Sequence, residues 1–264
     1  MTTATLTGST AQRRNPGALS GLLYVLFFVA SLVVAGVLGS SSVVTPYSSD
    51  AAVQAYRLED PATLENLFRV LGLLQGLSAL SLLAFVPCLT GFARRYGSEA
   101  RAGVVRALAT VAGALLMLSA STSWVLAQIG SKAELSTYRA VSDLSFITGA
   151  GPAIATLGAA VLLVATTGRT SRAMPAWLAY SGMVIGAAGM LSMSSLVAEG
   201  GSVFIPIGRF LGFIWFIAVS VLLWRLGELK ESLEGVHVAA RHGGTVGEAD
   251  RLDVLGDAGQ AAGA

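Results

Sequence analysis

Six stretches of this chain run for roughly twenty residues or more with almost no charge, and that feature decides which solvent the chain can fold in. A helix rises about 1.5 Å per residue, so about twenty apolar residues match the ~30 Å hydrocarbon core of a bilayer. The stretches fall at approximately 18–39, 67–90, 104–129, 145–167, 175–198 and 205–225. They predict an all-α fold, an integral membrane bundle of six transmembrane helices within 18–226. Residues 1–17 then form a polar N-terminal segment, and residues 227–264, without periodicity and rich in Gly, Ala and acids, read as a largely disordered tail. Arg13 and Arg14 precede the first stretch as they would in a signal peptide. Its apolar run exceeds the ~7–15 residues of a signal core, so a retained first helix is expected.

Composition supports the same solvent. Hydrophobic residues make up 54% and charged residues 12%, half the ~25% of a soluble domain. The net charge of +2 is small and scattered, which argues against a nucleic-acid partner. Cys88 is the single cysteine, so neither an intrachain disulfide nor a thiolate metal cage can form. Lys132 and Lys230 are the only lysines among 17 basic residues, a bias that resembles GC-rich bacterial coding and suggests a bacterial cell membrane.

Orientation follows from basic residues in short loops. With the N-terminus inside, Arg13, Arg14, Arg94, Arg95, Arg101, Arg106, Arg169, Arg172, Arg225 and Lys230 are cytoplasmic. Arg57, Lys132 and Arg139 fall in outer loops, with Arg69 and Arg209 at helix starts. Both termini are therefore expected in the cytoplasm. Trp177, Trp224 and Tyr96 would mark the inner interface, and Tyr47, Trp124 and Tyr138 the outer one.

Local signals refine the helices. Asp60-Pro61 reads as an N-cap followed by a first-turn proline, so the second helix should begin outside the membrane. Pro175 and Pro206 read as first-turn prolines of helices five and six. A short helical piece is expected around Ala51–Tyr56, and Ser131 and Glu134 have capping-box spacing for a short surface helix. Pro87 and Pro152 should kink or loosen spans two and four. Gly72/Gly76, Gly182/Gly186 and Gly208/Gly212 stand at GxxxG spacing. Because they sit on several helices, packing within one bundle is preferred over a homodimer seam. The two three-helix halves show no alignable similarity, so the inverted repeats of many transporters find no support.

The chemistry on offer is sparse. His237 and His242, the only histidines, lie in the tail, so the expected bundle lacks the histidines that haem ligation or a Ser–His protease would draw on. No nucleotide loop is present, and no carboxylate lies near the centre of a span. No cofactor, metal or catalytic residue is assigned. Met183, Met190 and Met193 could hold Cu(I), yet without paired ligands in register they read as packing. The runs Ser119–Ser123 and Ser192–Ser195 could line a polar path, although such hydroxyls more often bond to their own or a neighbouring helix.

Glu65, Arg69, Asp143, Glu199 and Arg209 share the outer end of the helices, with Gln75 deeper. They either anchor helix ends and pair with each other, Arg209 snorkelling from a shallow position, or form an outer vestibule for an anionic headgroup or small solute.

Four segments, PGALSGLLYVLFFVASLV, ENLFRVLGLLQGLSAL, RTSRAMPAWLAYSGMVIG and GRFLGFIWFIAVSVLLWR, resemble in that order the bacterial multi-pass family catalogued as domain-of-unknown-function family 4386. The resemblance covers approximately 16–226. Its motifs are seen as Gly21-Leu22-Leu23-Tyr24, Leu67-Phe68-Arg69 and the segment from Arg172 through Pro175 and Trp177 to Leu178. Family members usually carry Gly next, where this chain has Ala179. The resemblance implies six membrane helices, no established activity and no catalytic residues.

The leading expectation is a non-enzymatic membrane protein that binds a lipid or small hydrophobic solute, or serves as a partner-binding subunit. The alternatives are a transporter or facilitator component, and a lipid-modifying enzyme with Glu65, Asp143 or Glu199 as its acid–base group.

Overall fold

Asp60 starts the longest helix by giving its carboxylate to the Thr63 N–H at 3.1 Å. Those Thr63 hydrogen bonds, side-chain first, hold the Asp60 carboxyl below its ordinary range. Pro61 follows in the first turn, where its missing N–H costs nothing. The cap is as expected, and the helix continues from there through Pro87 to Tyr96.

The structure, a computed structural model, describes residues 17–38 and 44–226. The N-terminal segment and the tail, including its two histidines, lie outside the described residues. The chain divides into a compact unit of residues 16–223, which holds the bundle, and a second unit, 1–15 with 224–264, of which only the helical end 224–226 is described.

The described helices are α1 (Gly17–Leu38), α2 (Asp50–Glu59), α3 (Pro61–Tyr96), α4 (Glu99–Ile129), α5 (Leu135–Gly149), α6 (Gly151–Thr170) and α7 (Ala176–Leu191). A last, composite span covers Glu199–Leu226. Among the described residues there is no strand. Among the described residues, six helices are long and apolar enough to cross a membrane: α1, α3, α4, α5 with α6, α7 with its 3-10 extension to Leu196, and the last span. The chain is a multi-pass membrane bundle.

α3 packs along α4 and α1, and α4 along α5 and α6; α6 packs along α7, and α7 against the last span. Aromatic edges join α1, α3 and the last span: Tyr24 meets Phe216 at 5.2 Å and Phe213 at 5.9 Å, and Phe85 meets Phe216 at 6.1 Å. Ser78 donates to the Tyr24 carbonyl at 2.8 Å, tying α3 to α1.

The glycines at GxxxG spacing face inward. A Cβ on Gly72 would stand 3.0 Å from the Ala120 carbonyl oxygen, and one on Gly186 only 2.7 Å from that of Gly158. Gly72, Gly182, Gly186 and Gly208 thus serve packing within the bundle. The serine and threonine runs likewise bond within the protein. Ser119 donates to the Ser145 carbonyl at 2.8 Å, Thr122 to that of Ser119 at 2.9 Å, and Ser194 to that of Leu191 at 2.7 Å.

Several expectations about helix starts and side-chain placement need correction. The helix expected from Ser131 begins at Leu135, with Glu134 in the cap position and no side-chain cap bond, and it is part of the fourth span. Pro175 is the cap residue of α7 itself. Pro206 is not in a first turn, because the last span already begins at Glu199. Tyr138 is no interfacial marker: it is 2% exposed, buried with Val53 and Leu126 beneath α2. Arg57, expected as a loop charge, is buried on the same face of α2, its guanidinium 5.6 Å from the Tyr138 ring.

A candidate ligand cleft where three helices break

Three spans leave the regular α-helix at the α2 end, and the departures meet. In the fourth, Pro152 has no N–H for the helical ladder, and the helix parts at Ala150 (φ −106°, ψ −103°), between α5 and α6. In the fifth, α7 tightens into a 3-10 stretch over Ser192–Leu196. In the sixth, Pro206 closes one α turn and is followed by a π turn over Ile207–Leu211. Side chains bridge these places. Ser192 donates to the Gly151 carbonyl at 3.0 Å, and the Arg209 Nη2 donates to the Gly149 carbonyl. Tyr47 closes over them by donating to the Ser195 carbonyl at 2.5 Å.

Backbone outside the helical ladder at membrane depth persists only where protein buries it or a cavity adjoins it. Both conditions hold. Glycines let the three segments touch: a Cβ on Gly208 would lie 2.9 Å from the Gly189 Cα, and one on Gly189 3.1 Å from that of Gly158. Beside them runs a cleft lined by Tyr24, Leu116, Ile154, Leu157, Val161, Ile185, Gly208, Arg209, Gly212 and Phe216. Its cavity volume is about 20 Å³, room for about one water. Ile154, Leu157 and Val161 fall on one face of α6, and Gly208, Gly212 and Phe216 on one face of the last span. The wall is therefore apolar apart from Arg209 and the Tyr24 hydroxyl.

Arg209 is half-buried. Its guanidinium carbon stands 4.7 Å from the Phe28 ring centroid, a favourable cation–π position. Among the described residues no carboxylate lies within ion-pair distance of it. The ion pairs there are Glu65–Arg69, Arg94–Glu99 at 2.8 Å, Asp50–Arg139 and Asp143–Arg139 at 3.7 Å.

The six residues expected to share a vestibule are dispersed. Glu65 and Arg69 pair with each other, both over 40% exposed. Asp143 shares Arg139 with Asp50 in an open groove between α2 and α5. Glu199 is exposed at the head of the last span, and Gln75 is partly buried within α3. Glu65, Asp143 and Arg209 line three different clefts. Arg209 also stands further from the start of its span than expected, since the span starts at Glu199, ten residues earlier. Its guanidinium bonds across to the fourth span instead of snorkelling. Met190 and Met193 are exposed and Met183 is partly buried.

The loosening expected of the fourth span at Pro152 is present as the break at Ala150. The burial of Arg57 escapes a reading of the sequence, and the i, i+4 spacing of Val53 and Arg57 in a short amphipathic helix is the one signal for it. The chain matches no family model, no curated protein and no solved structure.

Proposed function

We propose that this multi-pass membrane protein is a non-enzymatic binder of a lipid or small hydrophobic solute, held in the Arg209 cleft. The single observation that carries the reading is the apolar slot at the meeting of three broken helices. An interior seam of a bundle gains nothing from broken helices, whereas a ligand site gains backbone carbonyls and shape. A second reading is favoured by the same breaks, since discontinuous helices also form the sites of many carriers. Flux of the bound compound into proteoliposomes separates a facilitator from a binder. Membership of the family of unknown function, a bacterial cell membrane and a cytoplasmic position for both termini belong to this proposal.

The cleft is testable at Gly212. A Cβ there meets nothing closer than the Ile185 Cγ2 at 4.0 Å, so Gly212→Ala fits and Gly212→Leu extends into the slot. Gly212→Leu is expected to lose the hydrophobic compounds that co-purify with the wild type, seen by native mass spectrometry, while Gly212→Ala keeps them. Retention of the same adducts by Gly212→Leu would remove the cleft as their site.

Orientation is tested by thiol labelling in a Cys88→Ala background. Asp50→Cys and Ser136→Cys should react with an impermeant maleimide added to intact cells. Ala100→Cys and Ser171→Cys should react only after lysis, and the opposite pattern would invert the topology.

A further inference from the structure

We infer that the cleft takes an amphiphile with a single oxyanion head, carboxylate or phosphate, and that Arg209 is the receptor for that head. The inference rests on the reading of the cleft as a ligand site and adds the ligand's charge and shape. A guanidinium within a membrane-spanning bundle is costly unless an anion or a set of dipoles compensates it. Here one carbonyl, Gly149, and one aromatic face, Phe28, do so, with no carboxylate in reach among the described residues. Arg139 shows the contrast, since it lies between Asp50 and Asp143 and also donates to the Pro46 carbonyl at 3.1 Å. That site is neutralised from within. The site at Arg209 is not.

Geometry narrows the anion. A guanidinium has five N–H groups in a planar fork, and the bond to Gly149 commits one Nη. The rest of the fork suits two oxygens of one carboxylate or phosphate, the arrangement that favours arginine over lysine. From Arg209 the slot continues along Gly212 and Phe216 on one side and from Ile154 to Val161 on the other. Seven residue steps of helix make that wall about 10 Å long. A cavity of about 20 Å³ is room for about one water, so a hydrocarbon chain seats there only as the wall side chains give way, and one chain asks less of them than two. The geometry therefore points to a single-chain anion with its head at Arg209 and its tail along Leu157.

Four probes test this on the full-length protein in zwitterionic nanodiscs: decanoate, decyl phosphate, decanol and inorganic phosphate. Decanoate and decyl phosphate should form one-to-one adducts by native mass spectrometry and raise the melting midpoint of the wild type. Decanol should bind about tenfold more weakly or worse, and Arg209→Gln should lose that discrimination, because a charged hydrogen-bonded head contributes at least this much. Equal binding of decanol and decanoate by the wild type overturns the inference and leaves the proposed function standing. This comparison needs no variant, so it decides even if Arg209→Gln does not fold. Protection by inorganic phosphate equal to that by decyl phosphate would overturn the amphiphile in favour of a free anion. No adduct with any probe would overturn both this inference and the cleft as a ligand site.

Discussion

Gly186→Val is expected to yield no stable bundle, while Gly36→Ala, Gly91→Ala and Gly103→Ala melt at or above the wild-type midpoint. All four glycines lie in helices, so propensity alone predicts the same gain for each, roughly 0.5–1 kcal/mol from glycine to alanine. Surroundings separate them. Around Gly36, Gly91 and Gly103 a Cβ meets nothing within 4 Å. At Gly186 it would stand 2.7 Å from the Gly158 carbonyl oxygen and 2.8 Å from the Leu162 nitrogen. Both are backbone atoms of α6, so no rotamer change relieves the clash and α7 must move off α6. Separated helices in lipid lose packing that no hydrophobic drive replaces. Overpacking commonly costs about 1–3 kcal/mol, and a branched side chain against backbone should exceed that, a large part of the roughly 5–15 kcal/mol that stabilises a domain. The readout is the monodisperse fraction after mild extraction, with the melting midpoint. A wild-type midpoint for Gly186→Val would mean that α6 and α7 do not touch there.

The six spans are legible in the sequence because hydrocarbon thickness acts as a length filter, and sequence shows length directly. Their ends are not. Hydropathy places the fourth span from 145 and the sixth from 205, whereas the helices begin at Leu135 and Glu199. Arg139 and Asp143 interrupt the apolar run, yet the helix needs no apolar run there. It is supported by Tyr138 and Leu126 packing beneath α2. The dispersal of the candidate vestibule residues has a related cause. Position along a span gives depth and says little about which way a side chain faces, so Glu65, Asp143 and Arg209 share a depth without sharing a cleft. The acceptor for Arg209 is a backbone carbonyl on another helix, freed by a break, and no residue type announces a carbonyl. Pro152 marks where the fourth span loosens, but that this place faces the π turn of the last span is a tertiary fact.

Trp215→Ala is the second large effect expected, and its size depends on the solvent. Trp215 is 2% exposed, donates its Nε1–H to the Leu178 carbonyl at 3.0 Å and meets Phe216 edge-on at 5.5 Å. In a water-soluble core the loss would be about 3–5 kcal/mol. Part of that is transfer from water, which falls away when separated helices still sit in hydrocarbon. Lost dispersion contacts, an unfilled void and one hydrogen bond remain, together about 2–4 kcal/mol. Trp215→Phe should cost far less, because the Leu178 carbonyl also accepts from the Ser181 hydroxyl at 3.1 Å and is not orphaned. Gly182 supplies a sharper test. A Cβ there would lie 2.3 Å from the Trp215 Nε1 and 2.8 Å from the Ala165 Cβ, so Gly182→Ala alone should destabilise. With Trp215→Ala the first clash vanishes and the second persists, so the double variant should be more stable than the two single losses added together, by about 1 kcal/mol or more. Strict additivity of the two losses would show that Gly182 and Trp215 do not pack on each other, and with that the seating of the last span against α7 would fail.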